Sequence, residues 1–409
     1  MTKSDWTRRQ TLAGMGAALT AAMLPVQGMA AGAPRGYLRT NWSRDPFALG
    51  SYSYTAKGAR KKDRRNIEAP IEGRIFFAGE AAYHKRSSTV HAAHESGLRV
   101  ASMLRKKGHQ KVAVVGAGMS GLTAAKDLSD RGLDVTVFEA RDRIGGRLWT
   151  DNSLGVPLDL GASWIHGTTG NPLTALSDQQ ALARVATDDS YILRGRDGRE
   201  MRDADVADGV LEQVEIQTEA GADLADLNTR AYLLDDDYDG KEVVFPGGYS
   251  DILGAFNGDY DLRLSTQVGM ITLEDGGVWV TPRAARPEFF DAVLVTVPLG
   301  VLKEGSIGFK PELPDAKRRS ISRLGMGVLD KVYLQFDRPF WDQDVTWIYT
   351  PEAEGPAGQF NVWLNFYKTH GVPIIMAFNG GSAARSLANK SDREIIAQAS
   401  KAIRSAYSL

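Results

Sequence analysis

Lys111-Val112-Ala113-Val114-Val115-Gly116-Ala117-Gly118-Met119-Ser120-Gly121 decides the fold of this chain. An apolar strand, Lys111 to Val115, runs straight into a G-x-G-x-x-G turn. Leu122 to Arg131 follows with helical spacing and stops at Gly132. Asp134 to Phe138 is a second apolar strand, closed by Glu139. The glycine pattern alone is weak. With a strand before it, a helix after it and an acid ending the next strand, it reads as a dinucleotide-binding βαβ unit. Gly116 makes the tight turn, Gly118 lets the backbone approach a pyrophosphate, and Gly121 lets helix and strand pack closely. Amides of the first helical turn, around Ser120, face the phosphate charge. Glu139 is placed to accept hydrogen bonds from ribose hydroxyls.

The next stretch separates two dinucleotides. Ala140-Arg141-Asp142-Arg143-Ile144-Gly145-Gly146-Arg147 is rich in Gly and Arg. Such a loop wraps amides and a guanidinium around a second pyrophosphate face, which FAD offers and a nicotinamide dehydrogenase does not need.

Composition narrows the class further. The 409 residues suffice for two domains or one large intertwined body, and 43% apolar with 24% charged is ordinary for a globular protein. A formal net charge of −1 supplies no overall field for nucleic acid or anionic lipid. The absence of cysteine excludes disulfides, thiolate metal sites, a cysteine nucleophile and a cysteine-tethered flavin. Six histidines argue against a multi-ligand metal centre. His91 and His94 stand three apart on one helix face, but no third ligand is evident, so they are expected to pack.

Residues 1–33 read as a targeting segment. Arg8 and Arg9 precede an apolar, small-residue run from Leu12 to Leu24, then Pro25 and a small-residue zone reaching Ala31. The paired arginines point to the twin-arginine machinery, with a periplasmic or secreted destination. The run is too short for a stable membrane span.

Further along, Lys57 to Arg65 reads as a basic, solvated loop. Arg74 to Glu80 is a short buried strand ending in a turn, and Val90 to Leu104 is a helix. Asn171 to Tyr238 reads as a mostly helical surface region. Strands are expected at Val293–Val297, Lys331–Phe336, Phe360–Phe366 and Ile374–Phe378, and a final helix at Ser391–Tyr407.

Several motifs together resemble the flavin-containing amine oxidases. They are Val137 to Ala140 with Gly145 to Thr150, Leu160-Gly161-Ala162-Ser163-Trp164-Ile165-His166-Gly167, Pro298 to Leu302, Leu329-Asp330-Lys331-Val332, Asp45 to Tyr54, and Phe77-Ala78-Gly79-Glu80. The Trp-Ile-His-Gly and Ser-Tyr-Ser-Tyr versions look most like polyamine oxidases and lysine-specific histone demethylases. The resemblance implies an α/β fold in which an FAD-binding Rossmann-like domain is intertwined with a substrate domain of mixed sheet and helices. Residues 66–110, 111–170 and 246–305 fall to the first part, and 34–65, 171–245 and 306–409 to the second. In the family, the segments resembling Asp45–Tyr54 and Phe77–Glu80 come last; here they come before the G-x-G-x-x-G strand. The order resembles a circular permutation, and either a natural permuted protein or a rearranged gene accounts for it.

The same resemblance implies the chemistry. A hydride equivalent passes from the carbon beside an uncharged amine nitrogen to the flavin, the imine hydrolyses, and O2 is reduced to hydrogen peroxide. Lys331 matches a lysine that holds a water near the flavin, Tyr52 matches one wall of an aromatic cage, and His166 matches a histidine near the substrate. Thr89 stands where the second cage tyrosine is found in monoamine oxidases, which leaves room for a longer amine. Ser51 stands where some members tether flavin through cysteine, so FAD is expected to be non-covalent. Gly79, Glu80, Val90, Arg147, Gly161, Ala162, Ser163, Trp164 and Val268 complete the implied FAD site, joining Gly116, Gly118, Ser120, Gly121, Glu139, Arg141 and Gly146. L-amino-acid oxidation on the same frame is the alternative activity, and an inactive FAD-binding protein is the non-enzyme alternative.

Overall fold

A computed structural model describes residues 33–233 and 238–409. The twin-arginine motif and the acidic run Asp235–Asp237 lie outside the described residues.

The strand Lys111–Val115 is buried after its first residue and forms the centre of a five-stranded sheet. The sheet order is Asp261–Arg263, Asp134–Phe138, Lys111–Val115, Ala292–Val295, Ile75–Phe77, and every pairing is parallel. Side chains alternate across it, as a strand period of two requires. Val112, Val114, Val135, Val137 and Leu294 face the helices Val90–Lys106 and Met119–Ser129. Ala113, Val115, Phe138, Val293 and Val295 face the opposite way, onto a four-stranded sheet built from residues 268–290 and 308–310. With both faces covered, continuous apolar strands are what a parallel sheet demands.

The early segment Ile75–Phe77 is the edge strand beside Ala292–Val295. Phe76 and Phe77 are each 1% exposed, and burying each side chain contributes about 1.5–3 kcal/mol. Helix Val90–Lys106 follows, and residues 107–110 lead directly into Lys111.

A second body is a seven-stranded sheet ordered Gly36–Arg39, Leu329–Gln335, Ile374–Gly380, Gln359–Asn365, Trp347–Tyr349, Tyr191–Arg194, Glu200–Met201. Its edge strand Gly36–Arg39 pairs antiparallel along Leu329–Gln335, with Arg39 opposite Val332. The chain then continues along the same partner: Thr40 exchanges hydrogen bonds with Lys331, and Ser53–Tyr54 pairs with Gly325–Met326. The closing helix Asp392–Ser405 is capped by Ser391, in a capping box with Glu394, and buries Ile395, Ile396, Ala399 and Ile403. No helix among the described residues is long and apolar enough to cross a membrane.

Two expectations are corrected. The basic stretch Lys57–Arg65 is not wholly a solvated loop: Lys61–Glu68 is a helix with Asp63 and Arg64 buried. Arg64 donates to Ser53 Oγ at 2.7 Å and to the Ala81 carbonyl at 3.2 Å, while Asp63 accepts from Ser320 Oγ at 2.9 Å. Local charge density cannot reveal those tertiary partners. Nor is Asn171–Tyr238 mostly helical. Between helix Pro172–Gln179 and helices Val210–Ala220 and Thr229–Leu233 lie strands Val185–Thr187, Tyr191–Arg194 and Glu200–Met201, which are short enough for pairing with distant strands to decide them.

Candidate active site

One cavity of about 980 Å³ lies where the two bodies meet. Of the residues expected to act in catalysis or to hold FAD, every one except Gly121 borders it: Lys331, Tyr52, His166, Thr89, Gly116, Gly118, Ser120, Glu139, Arg141, Gly146, Arg147, Gly161 to Trp164, Val268, Gly79, Glu80 and Val90. Gly121 acts from behind the wall. A Cβ there would collide with the Gly116 carbonyl oxygen and stand 3.0 Å from Thr296 Oγ1.

The Gly116 turn is held by φ = +108°, where a side chain would be strained and would also press on Thr296 Oγ1. Thr296 Oγ1 donates toward the Val115 and Gly116 carbonyls at 3.0 and 3.1 Å, and it was not legible as a site residue. The Arg-rich loop is stitched onto this turn: the Gly145 amide donates to the Ala117 carbonyl at 2.8 Å. Glu139 Oε2 accepts from the Ala117 amide at 2.7 Å and Oε1 from the Arg141 amide at 2.8 Å. Two backbone bonds thus fix the carboxylate that ends the second strand. Arg141 is anchored to Asp45 at 2.6 Å. Ser120 Oγ is buried at the first turn of helix Met119–Ser129 with no hydrogen-bond partner among the described residues. A buried hydroxyl without a partner beside free helix amides and a side-chain-free turn fits the phosphates of a dinucleotide.

At the centre, Glu80 is 4% exposed and bound by Arg147 at 2.8 Å and Ser53 Oγ at 2.6 Å. Burial pushes its pKa up, but Arg147 and Arg64 outweigh burial and hold it below the usual carboxylate range. Lys331 is also 4% exposed. Its Nζ donates to the Asp159 carbonyl at 2.7 Å, the Gly161 carbonyl at 2.6 Å and Ser163 Oγ at 2.5 Å. Burial lowers the Lys331 pKa, and the Asp159 carboxylate partly opposes that shift. Asp159 is pushed the other way, upward, by its own burial.

Aromatic walls enclose the space beside Lys331. Trp164 stacks on Trp347 with centroids 6.0 Å apart, and Phe378 lies 6.1 Å from Trp164. Tyr52 borders the same cavity, its hydroxyl donating to the Thr218 carbonyl at 2.9 Å, and burial raises its pKa strongly. Thr89 has a further task as N-cap of helix Val90–Lys106, accepting from the Ala92 amide at 3.1 Å. His166 is exposed at the mouth, with Nδ1 2.6 Å from Glu242 Oε2. Asp189, Glu215 and Glu219 also line the cavity and are exposed, which puts them on its solvent side. His91 and His94 are buried: His94 meets Thr123 Oγ1 at 3.0 Å, His91 borders the cavity and stands edge-on to Tyr238, and burial lowers the pKa of His91 to about 3 and that of His94 to about 4.

Ser53, Arg64, Asp159, Trp347, Tyr349 and Phe378 belong to this cavity or support it without having been singled out. The strand carrying Phe378 was legible, and the short strand Trp347–Tyr349 was not. Which of their faces met the cavity depended on pairing across the seven-stranded sheet.

The model of the family "Flavin containing amine oxidoreductase" matches residues 16–104, 119–226 and 220–408. Polyamine oxidase 4 of Oryza sativa subsp. japonica is 31% identical over 346 residues, covering 70% of this chain and 70% of that protein. Probable polyamine oxidase 4 of Arabidopsis thaliana is 32% identical over 342 residues, covering 69% and 68%. Lysine-specific histone demethylase 1 homolog 3 of Arabidopsis thaliana is 30% identical over 431 residues, covering 78% of this chain and 26% of that protein. With a dinucleotide turn, a buried lysine and aromatic walls sharing one cavity, the chain belongs to the flavin-containing amine oxidoreductases and takes FAD as its cofactor.

Proposed function

We propose that the chain oxidises a polyamine-like primary or secondary amine. One amine C–H is lost as a hydride equivalent, the resulting imine takes up water to give an aldehyde and an amine, and O2 leaves as hydrogen peroxide. The observation that carries this reading is the row of carboxylates Asp189, Glu215, Glu219 and Glu242 on the solvent side of a cavity with aromatic walls. A substrate with several ammonium groups places one charge among those carboxylates. Its reacting nitrogen then reaches the aromatic walls near Tyr52 and Trp347, whose ring faces orient an amine.

FAD, when bound, would supply the hydride acceptor. Gly116, Gly118, Ser120, Glu139, Arg141, Glu80, Arg147 and Val268 would hold it, non-covalently because no cysteine is present and Ser51 replaces the tether. Lys331 acts as proton carrier at Nζ: burial weakens its hold on the proton, and Ser163 Oγ at 2.5 Å is the group to pass it through. Thr89 leaves space for a long chain, and His166 with Glu242 meets substrate at the mouth.

An L-amino-acid substrate would need an arginine for its carboxylate. The arginines on the cavity wall are already engaged: Arg147 with Glu80, Arg141 with Asp45, Arg64 with Ser53 and two carbonyls, and Arg86 near Glu95 and over the Tyr238 ring. That favours the polyamine reading. Peroxide release measured with spermidine, tyramine and several L-amino acids tests it. Spermidine should give the highest kcat/KM; preference for an L-amino acid would overturn the assignment.

We also propose that the early segments are a circular rearrangement of the family order. The short join at residues 107–110 and the edge position of Ile75–Phe77 support this. The paired Arg8 and Arg9 support twin-arginine export to the periplasm or beyond. An Arg8→Lys/Arg9→Lys variant should stay in the cytoplasm; unaltered export would refute that route.

A further inference from the structure

A second groove, of about 800 Å³, lies apart from the cavity, between helices Lys61–Glu68 and Asp315–Arg323. Lys57, Arg60, Lys62, Arg319 and Arg323 line it, against a single carboxylate, Asp63. Asp63 is buried and occupied, accepting from the Arg60 amide and from Ser320 Oγ at 2.9 Å each. Arg319 and Arg323 make only loose ion pairs, each at 3.9 Å, and Lys57 and Lys62 make none among the described residues. The nearby acids Glu312 and Asp315 are bound by Arg318, outside the groove. In a chain of net charge −1, five cations at one concavity are a local concentration and not a reflection of overall charge.

We infer that this groove binds a small polyanion carrying several adjacent negative charges, such as a phosphorylated metabolite. Ala316 is the one apolar side chain on its lining, and the rest of the apolar surface there belongs to the stems of the cations themselves. Its size matches a small-molecule site and not an extended nucleic-acid track. Arg319 and Arg323 from one helix face Lys62 of the other, with Arg60 at its N-cap and Lys57 just before it, and such a mixed set of guanidinium and ammonium groups suits a bridging phosphate or carboxylate.

The test is calorimetric titration of the purified FAD-loaded protein with tripolyphosphate, and separately with citrate, at low and moderate salt. Saturable binding that weakens as salt rises is expected, with at least about tenfold weaker affinity in Lys62→Gln/Arg319→Gln. Tighter tripolyphosphate than citrate assigns phosphate chemistry; the reverse assigns carboxylate chemistry. Retained visible flavin absorbance in the double variant shows that it folds. Lack of saturable binding by either anion, or unchanged affinity in that variant, would overturn the site.

Discussion

The Ser51 hydroxyl donates to the Leu329 carbonyl at 3.0 Å and accepts from the Leu329 amide at 2.8 Å. One side chain thereby joins the segment of Tyr52 to the strand of Lys331, although 278 positions separate Ser51 from Leu329. Replacing Ser51 with Ala leaves both Leu329 groups without that partner. The expected cost is about 1–3 kcal/mol, visible as a lower Tm of the FAD-loaded protein. An unchanged Tm would mean that other contacts hold the two segments together.

Gly121→Ala should abolish bound flavin. The added Cβ meets the Gly116 carbonyl oxygen and Thr296 Oγ1, and neither can retreat without opening the turn. The check is visible absorbance of the purified variant beside its circular dichroism. A folded, fully yellow variant would show that the turn tolerates the strain.

Glu80→Gln removes the carboxylate shared by Arg147 and Ser53 and beside Arg64. Breaking a buried charge pair from one side typically costs about 3–5 kcal/mol. A marked loss of thermal stability with lowered flavin content is expected; stability equal to the parent protein would contradict the role.

Asp159 supplies the pH dependence. Burial raises its folded pKa above the ordinary 3.8. Between those two values the native state holds more protons than the unfolded state, so stability falls as pH rises through that window. Asp159→Asn should flatten this limb in unfolding curves taken from pH 4 upward. A limb of the same slope in the variant would assign it to other groups.

Removing charge at the mouth should act on binding more than on turnover. Glu215→Gln/Glu219→Gln is expected to raise KM for spermidine severalfold and to leave a monoamine little changed, with weaker salt dependence. Equal effects on both substrates would detach these carboxylates from recognition of the distal ammonium.

Much of this architecture was legible in the chain because local rules and the tertiary structure agree. The Lys111–Glu139 unit needs strand, turn and helix in immediate succession, and the structure places each there. The buried edge strand at Ile75 and the Ser391-capped helix followed from pattern alone. What stayed hidden depended on distant partners. Arg64 belongs to a run of charges and becomes interior only because Ser53 and Ala81 meet it. Strand Tyr191–Arg194 is short and exists by pairing with Trp347–Tyr349. Glu215 and Glu219 share helix Val210–Ala220, but Asp189 and Glu242 come from other elements, and no spacing in the chain links them to that helix.

The central claim is that the Tyr52 and Lys331 segments close over one flavin gripped by the Gly116 turn. Anaerobic mixing of the purified yellow protein with spermidine, followed by flavin absorbance, tests it most directly. The parent protein should bleach in a single turnover, and Lys331→Met should keep its flavin yet bleach at least about tenfold more slowly. A colourless parent protein, or a variant that bleaches at the parent rate, would contradict it.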